Sequence, residues 1–314
     1  MSIYRVENGV HRKIETLYDV QASVNRMISK GYYVTGGMHR KVYEGSADPL
    51  VTYDGTHTTS NVTVSGVAYT LLTCKKTGVL TTNIPLQCWM CGGGGSGGAN
   101  TTTGTGKTQL ISGSGGGGGQ IASGTLNAGT YTITVAGANG TSKAGSITAS
   151  AGGKGIVKNS AGTTTGGSGA SGGGAGRQYS ASGTPGSGNG KSCYPFGLSS
   201  LKAHSPGGGG GGWGHNLHYN GGAGGSNGGS GGSATESAVA YTGAGGTGGT
   251  YGGGNGGEAY TWNGTATDGT AGSFYGAGGG GNAAAYAGIR SKAGSGYQGV
   301  VYFLIPKDAQ FIAA

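Results

Sequence analysis

The segment Ile84-Pro85-Leu86-Gln87-Cys88-Trp89-Met90-Cys91 runs directly into Gly92-Gly93-Gly94-Gly95. Two further apolar runs belong with it: Thr130–Val135 lies inside the glycine-rich region 91–281, and Val300–Ile305 follows that region. Short apolar runs bounded by glycine are typical of buried strands. The sequence therefore predicts a mainly β fold, in which these runs form a small core and the glycine-rich segments form long, specialised loops.

Glycine accounts for 80 of the 314 residues, against a usual share of about 7%. Proline is scarce and no strict Gly-X-Y period is present, which excludes collagen. The chain also lacks the high charge that is usual in disordered proteins. Flexible Gly/Ser linkers are the alternative explanation of such a composition.

Glycine-rich segments can be ordered as polyglycine-II strands, which have three residues per turn and no internal hydrogen bonds. Their N–H and C=O groups point outward and can pair with neighbouring strands. The Gly-Gly-X repeats at 221–226 and 245–250 suit such a bundle. Because ordering glycine costs much conformational entropy, the bundle requires dense backbone hydrogen bonding.

The charge distribution is one-sided. The net charge is +9, and no acidic residue occurs between Asp54 and Glu236. A surface of one sign attracts polyanions, so nucleic acid and phosphate-bearing envelope glycans are both candidate partners. Improved solubility of a glycine-rich surface is the alternative. We take the glycans as the expected class and do not expect nucleic acid.

The four cysteines are Cys74, Cys88, Cys91 and Cys193, and we interpret Cys88 and Cys91 as small apolar strand residues, because they form only half of a zinc ribbon. In a strand their side chains would point to opposite faces. We expect no metal and no cofactor. No apolar stretch approaches a membrane span, and Met1–Val10 lacks the apolar core of a signal peptide, so we expect synthesis in a host cytoplasm and no membrane insertion.

The first 45 residues predict a helix followed by a hairpin. Helical spacing links Tyr18 with a set of apolar residues that we assign to assembly, namely Ile14, Leu17, Val24, Met27 and Ile28. The helix would dock on a partner subunit or on copies of itself, and packing on the hairpin is the alternative. The hairpin would pair 32–35 with 38–43 around Gly36-Gly37.

The predicted domain limits follow from composition. Residues 1–45 form an attachment segment, 46–64 a linker with a first strand, and 65–314 the glycine-rich β domain. The breakers Gly45, Pro49 and Gly55 support the linker. Alternating Thr and Val residues predict strands at 61–64, 68–74 and 78–80.

Three stretches resemble the glycine-rich domain of bacteriophage tail-fibre and receptor-binding proteins. They are Tyr69–Gly98, where Cys88-Trp89-Met90-Cys91 enters glycine, then Asn127–Val135, and finally Gly294–Phe303. The resemblance spans about residues 65–307. It implies a β-sandwich-like core with a polyglycine-II sandwich, whose tip loops recognise the host surface. Cys91 replaces the more usual aliphatic residue, and the N-terminus is unfamiliar.

Aromatic and basic residues interrupt the glycine runs and are the predicted receptor-binding set. Exposed aromatic rings bind sugar faces, and Arg and Lys hold phosphates. A structural cap on the glycine bundle is the alternative role, and His215 with His218 could instead ligate a metal across a trimer axis. The predicted set is Arg177, Lys191, Tyr194, Phe196, Lys202, Trp213, His215, His218, Tyr219, Trp262, Phe274 and Tyr275.

No arrangement of residues predicts catalysis. The carboxylates Glu258 and Asp268 are the only candidate pair for glycan cleavage. We therefore expect a non-enzymatic virion protein, an adhesin of a tail fibre or baseplate that binds a host glycan or envelope protein. Residues 1–45 would bind other tail or fibre proteins, and we expect a homo-oligomer, with a trimer favoured. A non-adhesive capsid or collar spike is the first alternative and a glycan depolymerase the second.

Overall fold

The computed structural model describes residues 49–99, 112–157, 164–176, 183–188, 193–211, 227–230, 246–258, 265–284 and 291–314, and the backbone of further strands. The strands are β1 (Tyr4–Glu7), β2 (Val10–Lys13), β3 (Tyr18–Gln21), β4 (Val24–Met27), β5 (Lys30–Thr35), β6 (Met38–Glu44), β7 (Leu50–Tyr53), β8 (His57–Val64), β9 (Val67–Cys74), β10 (Gly78–Thr82), β11 (Leu86–Cys91), β12 (Ile121–Leu126), β13 (Gly129–Thr134), β14 (Ser142–Ala144), β15 (Ile147–Ala149), β16 (Trp213–Gly214), β17 (Thr235–Ser237), β18 (Ala240–Thr242), β19 (Ala284–Ala285), β20 (Val300–Pro306) and β21 (Gln310–Ala313). The fold is mainly β, with a single 3-10 turn, Pro195–Gly197, in the described part.

Two sheets form the centre of the fold. One has five strands in the order β12-β11-β20-β9-β8, and the other has six in the order β15-β14-β13-β10-β7-β21. Between them lies an apolar cluster with residues from both sheets, including Tyr53, Leu80, Met90, Ile133 and Phe303, all fully buried. The three apolar runs predicted as strands are confirmed as β11, β13 and β20.

β11 and β20 pair in the middle of the five-stranded sheet and are apolar at almost every position. Continuous apolar runs are expected where both faces of a strand are covered. Cys88 faces the core between the sheets, whereas Cys91 and Trp89 belong to a second apolar cluster on the outer face. The predicted opposite orientation of Cys88 and Cys91 is therefore confirmed, and the structure shows no disulfide among the four cysteines.

The short strand β7 lies in the segment that we predicted to be mostly linker. It pairs antiparallel with β10 on one side and parallel with β21 on the other. Val51 and Tyr53 are fully buried there. The Tyr53 hydroxyl donates a hydrogen bond to the carbonyl of Lys76. Four residues between two breakers suffice for a strand when neighbours on both sides supply its hydrogen bonds.

The N-terminal helix that we predicted over residues 14–28 is not supported. The backbone instead forms antiparallel hairpins β1–β2, β3–β4 and β5–β6. The alternation in Tyr18-Asp19-Val20-Gln21 and its aromatic and β-branched residues favour a strand. The apparent helical spacing combined apolar residues of different strands. The hairpin around Gly36-Gly37 is confirmed, with Thr35 paired to Met38.

Of the residues assigned to assembly, Val24 and Met27 lie in β4. Ile14, Leu17 and Ile28 lie outside the described residues.

The glycine-rich part is organised as a lattice of extended segments joined by main-chain hydrogen bonds. We call it the glycine lattice and define it by segments 92–98, 112–119, 150–157, 164–176, 183–188, 203–211, 227–230, 246–249, 252–258, 265–272, 276–283 and 291–298. It continues directly from the two sheets, because β11 leads into segment 92–98 and segment 291–298 leads into β20.

Segment 112–119 shows how the lattice is bonded. The N–H groups of every third residue donate to one neighbouring segment: Gly113 to Asn282, Gly116 to Gly279 and Gly119 to Gly276, at 2.8–2.9 Å. The intervening residues donate elsewhere, Gly115 and Gly118 to segment 164–176 and Gly117 to Gly153. The N–H groups therefore point in three directions and repeat every three residues, as expected for extended chains with three residues per turn.

The same segment also accepts hydrogen bonds from Gly95, Gly167 and Gly208. These neighbours approach so closely that a Cβ added to Gly116 would overlap the carbonyl oxygen of Gly95. Close packing of backbones is therefore the physical reason for glycine here. The main chain supplies the cohesion that apolar side chains supply in the two sheets.

Candidate functional site

A groove of about 700 Å³ opens on the outer face of the five-stranded sheet, next to the 3-10 turn. The floor is formed by outward-facing residues of β11 and β12, and one wall by the loop that carries the turn. We call it the aromatic groove and define it by Gln87, Trp89, Ile121, Thr125, Tyr194 and Phe196. The volume lies within the range of small-molecule sites, about 300–1,000 Å³.

Pairing of β11 with β12 sets the floor of the groove. Gln87 is opposite Thr125, and Trp89 is opposite Ser123. The chemistry is mixed, because Trp89 and Ile121 are buried apolar residues while Gln87 and Thr125 are exposed polar ones. Apolar surface edged by a few polar groups is the usual composition of a ligand site.

The wall of the groove is conformationally strained. Phe196 has φ 51° and ψ 22°, in the left-handed region. That conformation is costly for a bulky residue, and such strain occurs often at functional sites. Tyr194 precedes it, and a hydrogen bond with Tyr251 raises the pKa of Tyr194 above its ordinary value. The loop thus holds two half-buried rings against the groove.

A second feature shares Trp89 with the groove. We call it the histidine cluster, and it consists of His204 with the rings of Trp89, Phe274, Tyr275 and Tyr302. His204 is only 1% exposed. The ring centroids lie 4.9–5.9 Å from that of His204. Trp89 belongs to both features, so the cluster supports the groove floor.

Two hydrogen bonds fix the tautomer of His204. Its Nδ1 lies 2.8 Å from the carbonyl oxygen of Lys202, and its Nε2 lies 2.8 Å from the hydroxyl of Tyr302. Because a carbonyl only accepts, Nδ1 carries the proton and donates, and Nε2 accepts from Tyr302. Burial lowers the pKa of His204 to about 4 and raises the pKa of Tyr302.

The described members of the predicted receptor-binding set fall into two groups. Tyr194 and Phe196 line the aromatic groove. Phe274 and Tyr275 contact His204 in the histidine cluster. Lys202 is exposed, with its Nζ 5.6 Å from the ring centroid of Phe274, a cation–π geometry.

The other predicted receptor-binding residues are not placed. Arg177, Lys191, His215, His218, Tyr219 and Trp262 lie outside the described residues, and Trp213 is described only through the backbone of β16.

Sequence reasoning missed His204 and the groove residues Gln87, Trp89 and Thr125. One signal was present: the run Leu86–Cys91 has no consistent apolar–polar alternation, so its outward face had to be covered by another part of the chain. His204 stood alone in the sequence, and nothing indicated its burial among rings.

The described residues contain no group of three or more His, Cys, Asp or Glu side chains that could hold a metal ion. The Asp268 carboxylate, one of the two acids considered for glycan cleavage, accepts a hydrogen bond from the backbone N–H of Lys292 at 2.6 Å. No helix in the described part of the chain is long and apolar enough to cross a membrane.

Comparisons with family models, curated proteins and solved structures return no match for this chain.

Proposed function

We propose that the protein is a bacteriophage adhesin, mounted on a tail fibre or baseplate and binding a glycan or envelope protein of the host surface. The aromatic groove is the observation that carries this proposal. It presents rings and polar side chains together on an ordered surface, which is the chemistry that sugar recognition requires.

The glycine lattice supports the same proposal. Its donors repeat every three residues and point to several neighbours, the pattern that polyglycine-II strands would give. A glycine-rich fold of this kind is what the resemblance to phage tail-fibre domains implies. The lattice would act as a rigid mount, because a binding loop held on an ordered scaffold loses little conformational entropy on binding.

The groove also suits a carbohydrate rather than a large apolar partner. Gln87, Ser123 and Thr125 are exposed and can exchange hydrogen bonds with sugar hydroxyls. Phe196 is half-buried and offers apolar ring surface, above a floor that contains the buried Trp89. The described lining contains no acidic side chain, so an anionic glycan would meet no repulsion there.

Replacing Phe196 with alanine is expected to weaken binding to purified host envelope about fivefold, since one well-placed ring contact is worth roughly 1 kcal/mol. Alanine is restricted at this φ in the same way as phenylalanine, so the substitution removes the ring without changing the backbone requirement. Binding is measured by biolayer interferometry on immobilised envelope fragments. Leu198→Ala is the matched control, because Leu198 lies in the same loop and outside the groove lining.

Unchanged affinity of the Phe196→Ala variant would contradict the groove as the receptor site. Failure of the parent protein to bind envelope at all would contradict the adhesin proposal itself.

Lys202 provides a separate test of receptor charge. We expect Lys202→Ala to reduce adsorption about threefold in low salt and to have little effect near physiological ionic strength, where the Debye length is about 8 Å. Adsorption is measured by counting bound protein on host cells across a salt series. Lys154→Ala, an exposed lysine elsewhere in the lattice, is the control. An equal loss at every salt concentration would point to a packing role over Phe274 instead.

A further inference from the structure

The three N-terminal hairpins share one register. In β1–β2, Tyr4 is opposite Lys13 and Glu7 is opposite Val10. The pairs in the next two hairpins are displaced along the chain by 14 residues each: Tyr18 with Met27 and Gln21 with Val24, then Tyr32 with Lys41 and Thr35 with Met38. The backbone therefore repeats a single hairpin unit three times.

The sequence repeats with the same period. We number the positions of the unit from its first tyrosine. Position 1 is always Tyr, position 3 is always Val and position 9 is always Arg. Position 7 is Val or Met, and position 11 is Ile or Val. The residues are Tyr4, Tyr18 and Tyr32; Val6, Val20 and Val34; Val10, Val24 and Met38; Arg12, Arg26 and Arg40; Ile14, Ile28 and Val42. Fourteen residues are close to four turns of 3.6 residues, which explains why this pattern imitated a helix.

The repeated apolar positions are split between two faces. Alternate residues of a strand share a face, so positions 1 and 3 lie on one face of the hairpin. Position 3 is opposite position 8, and position 4 is opposite position 7, so the apolar position 7 belongs to the other face. A hairpin with apolar positions on both faces needs cover on both sides.

In the part of the chain that the structure describes, each of the three hairpins forms its own two-stranded sheet and is not hydrogen-bonded to another hairpin or to the two large sheets. An isolated two-stranded hairpin is at best marginally stable in water. Domains of about 40 residues or fewer usually need disulfides, metals or oligomerisation to be stable.

We infer that residues 4–44 form a homo-oligomeric shaft, in which each hairpin repeat is covered by the equivalent repeats of other copies of this chain. Another copy of this chain has the same 14-residue period, so each of its hairpins can pack on the equivalent hairpin. An unrelated partner would have to reproduce that spacing three times. Structural repeats of this kind gain stability by burying their shared faces against equivalent units. This inference does not depend on the adhesin proposal, and it replaces the helical stripe as the assembly device.

The first test uses sedimentation velocity on the full chain. We expect the parent protein to be an oligomer at about 10 μM, and the triple variant Val6→Asp, Val20→Asp, Val34→Asp to dissociate with a Kd raised at least about 100-fold, because three charges would be placed on the face that the proposed interface covers. The matched control, Thr58→Asp, Thr59→Asp, Ser60→Asp, adds the same charge to exposed positions of β8 and is expected to stay oligomeric.

A second test separates loss of the interface from loss of the hairpin. Deleting 18–31 removes one whole repeat and keeps the period, so two matched repeats remain and the chain should stay oligomeric. Deleting 18–24 removes fewer residues but breaks the period, and we expect a monomer. A monomeric parent, a triple variant that stays assembled, or equal assembly by both deletions would overturn the inference.

Discussion

Valine in place of Gly116 is expected to lower the free energy of unfolding by at least about 3 kcal/mol, the upper end of typical overpacking costs. Gly116 donates to Gly279 and accepts from Gly208, both at 2.8 Å, so its backbone is fixed on two sides. The new Cβ would overlap the Gly95 carbonyl, which is itself part of the main chain and has no rotamer to change. The lattice would have to open to admit the side chain.

The comparison that isolates this effect is a pair of alanine variants. Gly116→Ala meets the same carbonyl, whereas Gly137 is exposed and a Cβ there meets no atom within 4 Å. Gly137→Ala is expected to be neutral or to stabilise by about 0.5 kcal/mol, because it restricts the unfolded chain. Urea unfolding measures both. If the two variants lose equal stability, the glycine segments are not closely packed.

Acid is expected to destabilise the protein through His204. The neutral form of His204 is favoured in the folded state, since its pKa is about 4 against about 6.5 when unfolded. A depressed pKa of a base means that the unfolded state binds protons first as pH falls. The contribution of neutral His204 to the free energy of unfolding is therefore complete above a pH of about 6.5. It is lost as the pH falls from about 6.5 to about 4, and the total loss is near 3 kcal/mol.

Urea unfolding at pH values of about 7.5 and 4 measures this loss, and His204→Gln is the reference variant. Glutamine keeps a donor and an acceptor but does not titrate in this range. Other groups titrate in both proteins, so the difference between them isolates His204. We expect the stability of the parent relative to the variant to fall by about 3 kcal/mol on acidification. A difference that does not change with pH would contradict the buried neutral imidazole.

The two predictions concern different sources of order in one domain. Gly116 tests cohesion by the main chain alone, whereas His204 tests a polar side chain buried among rings. The histidine cluster joins the groove floor to the lattice, because His204 and Ser205 belong to segment 203–211 and Trp89 belongs to β11. Loss of the cluster in acid should therefore also weaken the proposed receptor site.

The sequence by itself determined the strands that carry apolar runs. Leu86–Cys91 and Val300–Pro306 are strands because their side chains are β-formers with no polar face, and the lengths suit a buried strand. It also determined the opposite faces of Cys88 and Cys91, since alternation is a local property of an extended chain. At the N-terminus the 14-residue period of the sequence indicates three repeated hairpins, although the apolar spacing led us to predict a helix.

Tertiary structure alone decided which segments became neighbours. Met90 pairs with Val301 across more than two hundred residues, and Leu50–Tyr53 becomes a strand only because β10 and β21 flank it. The same holds for the glycine lattice: every glycine offers an identical N–H and C=O, so no side chain encodes a choice among neighbouring segments. The groove follows from these pairings, because Trp89 and Phe196 meet only after β11 and the 3-10 turn have been brought together.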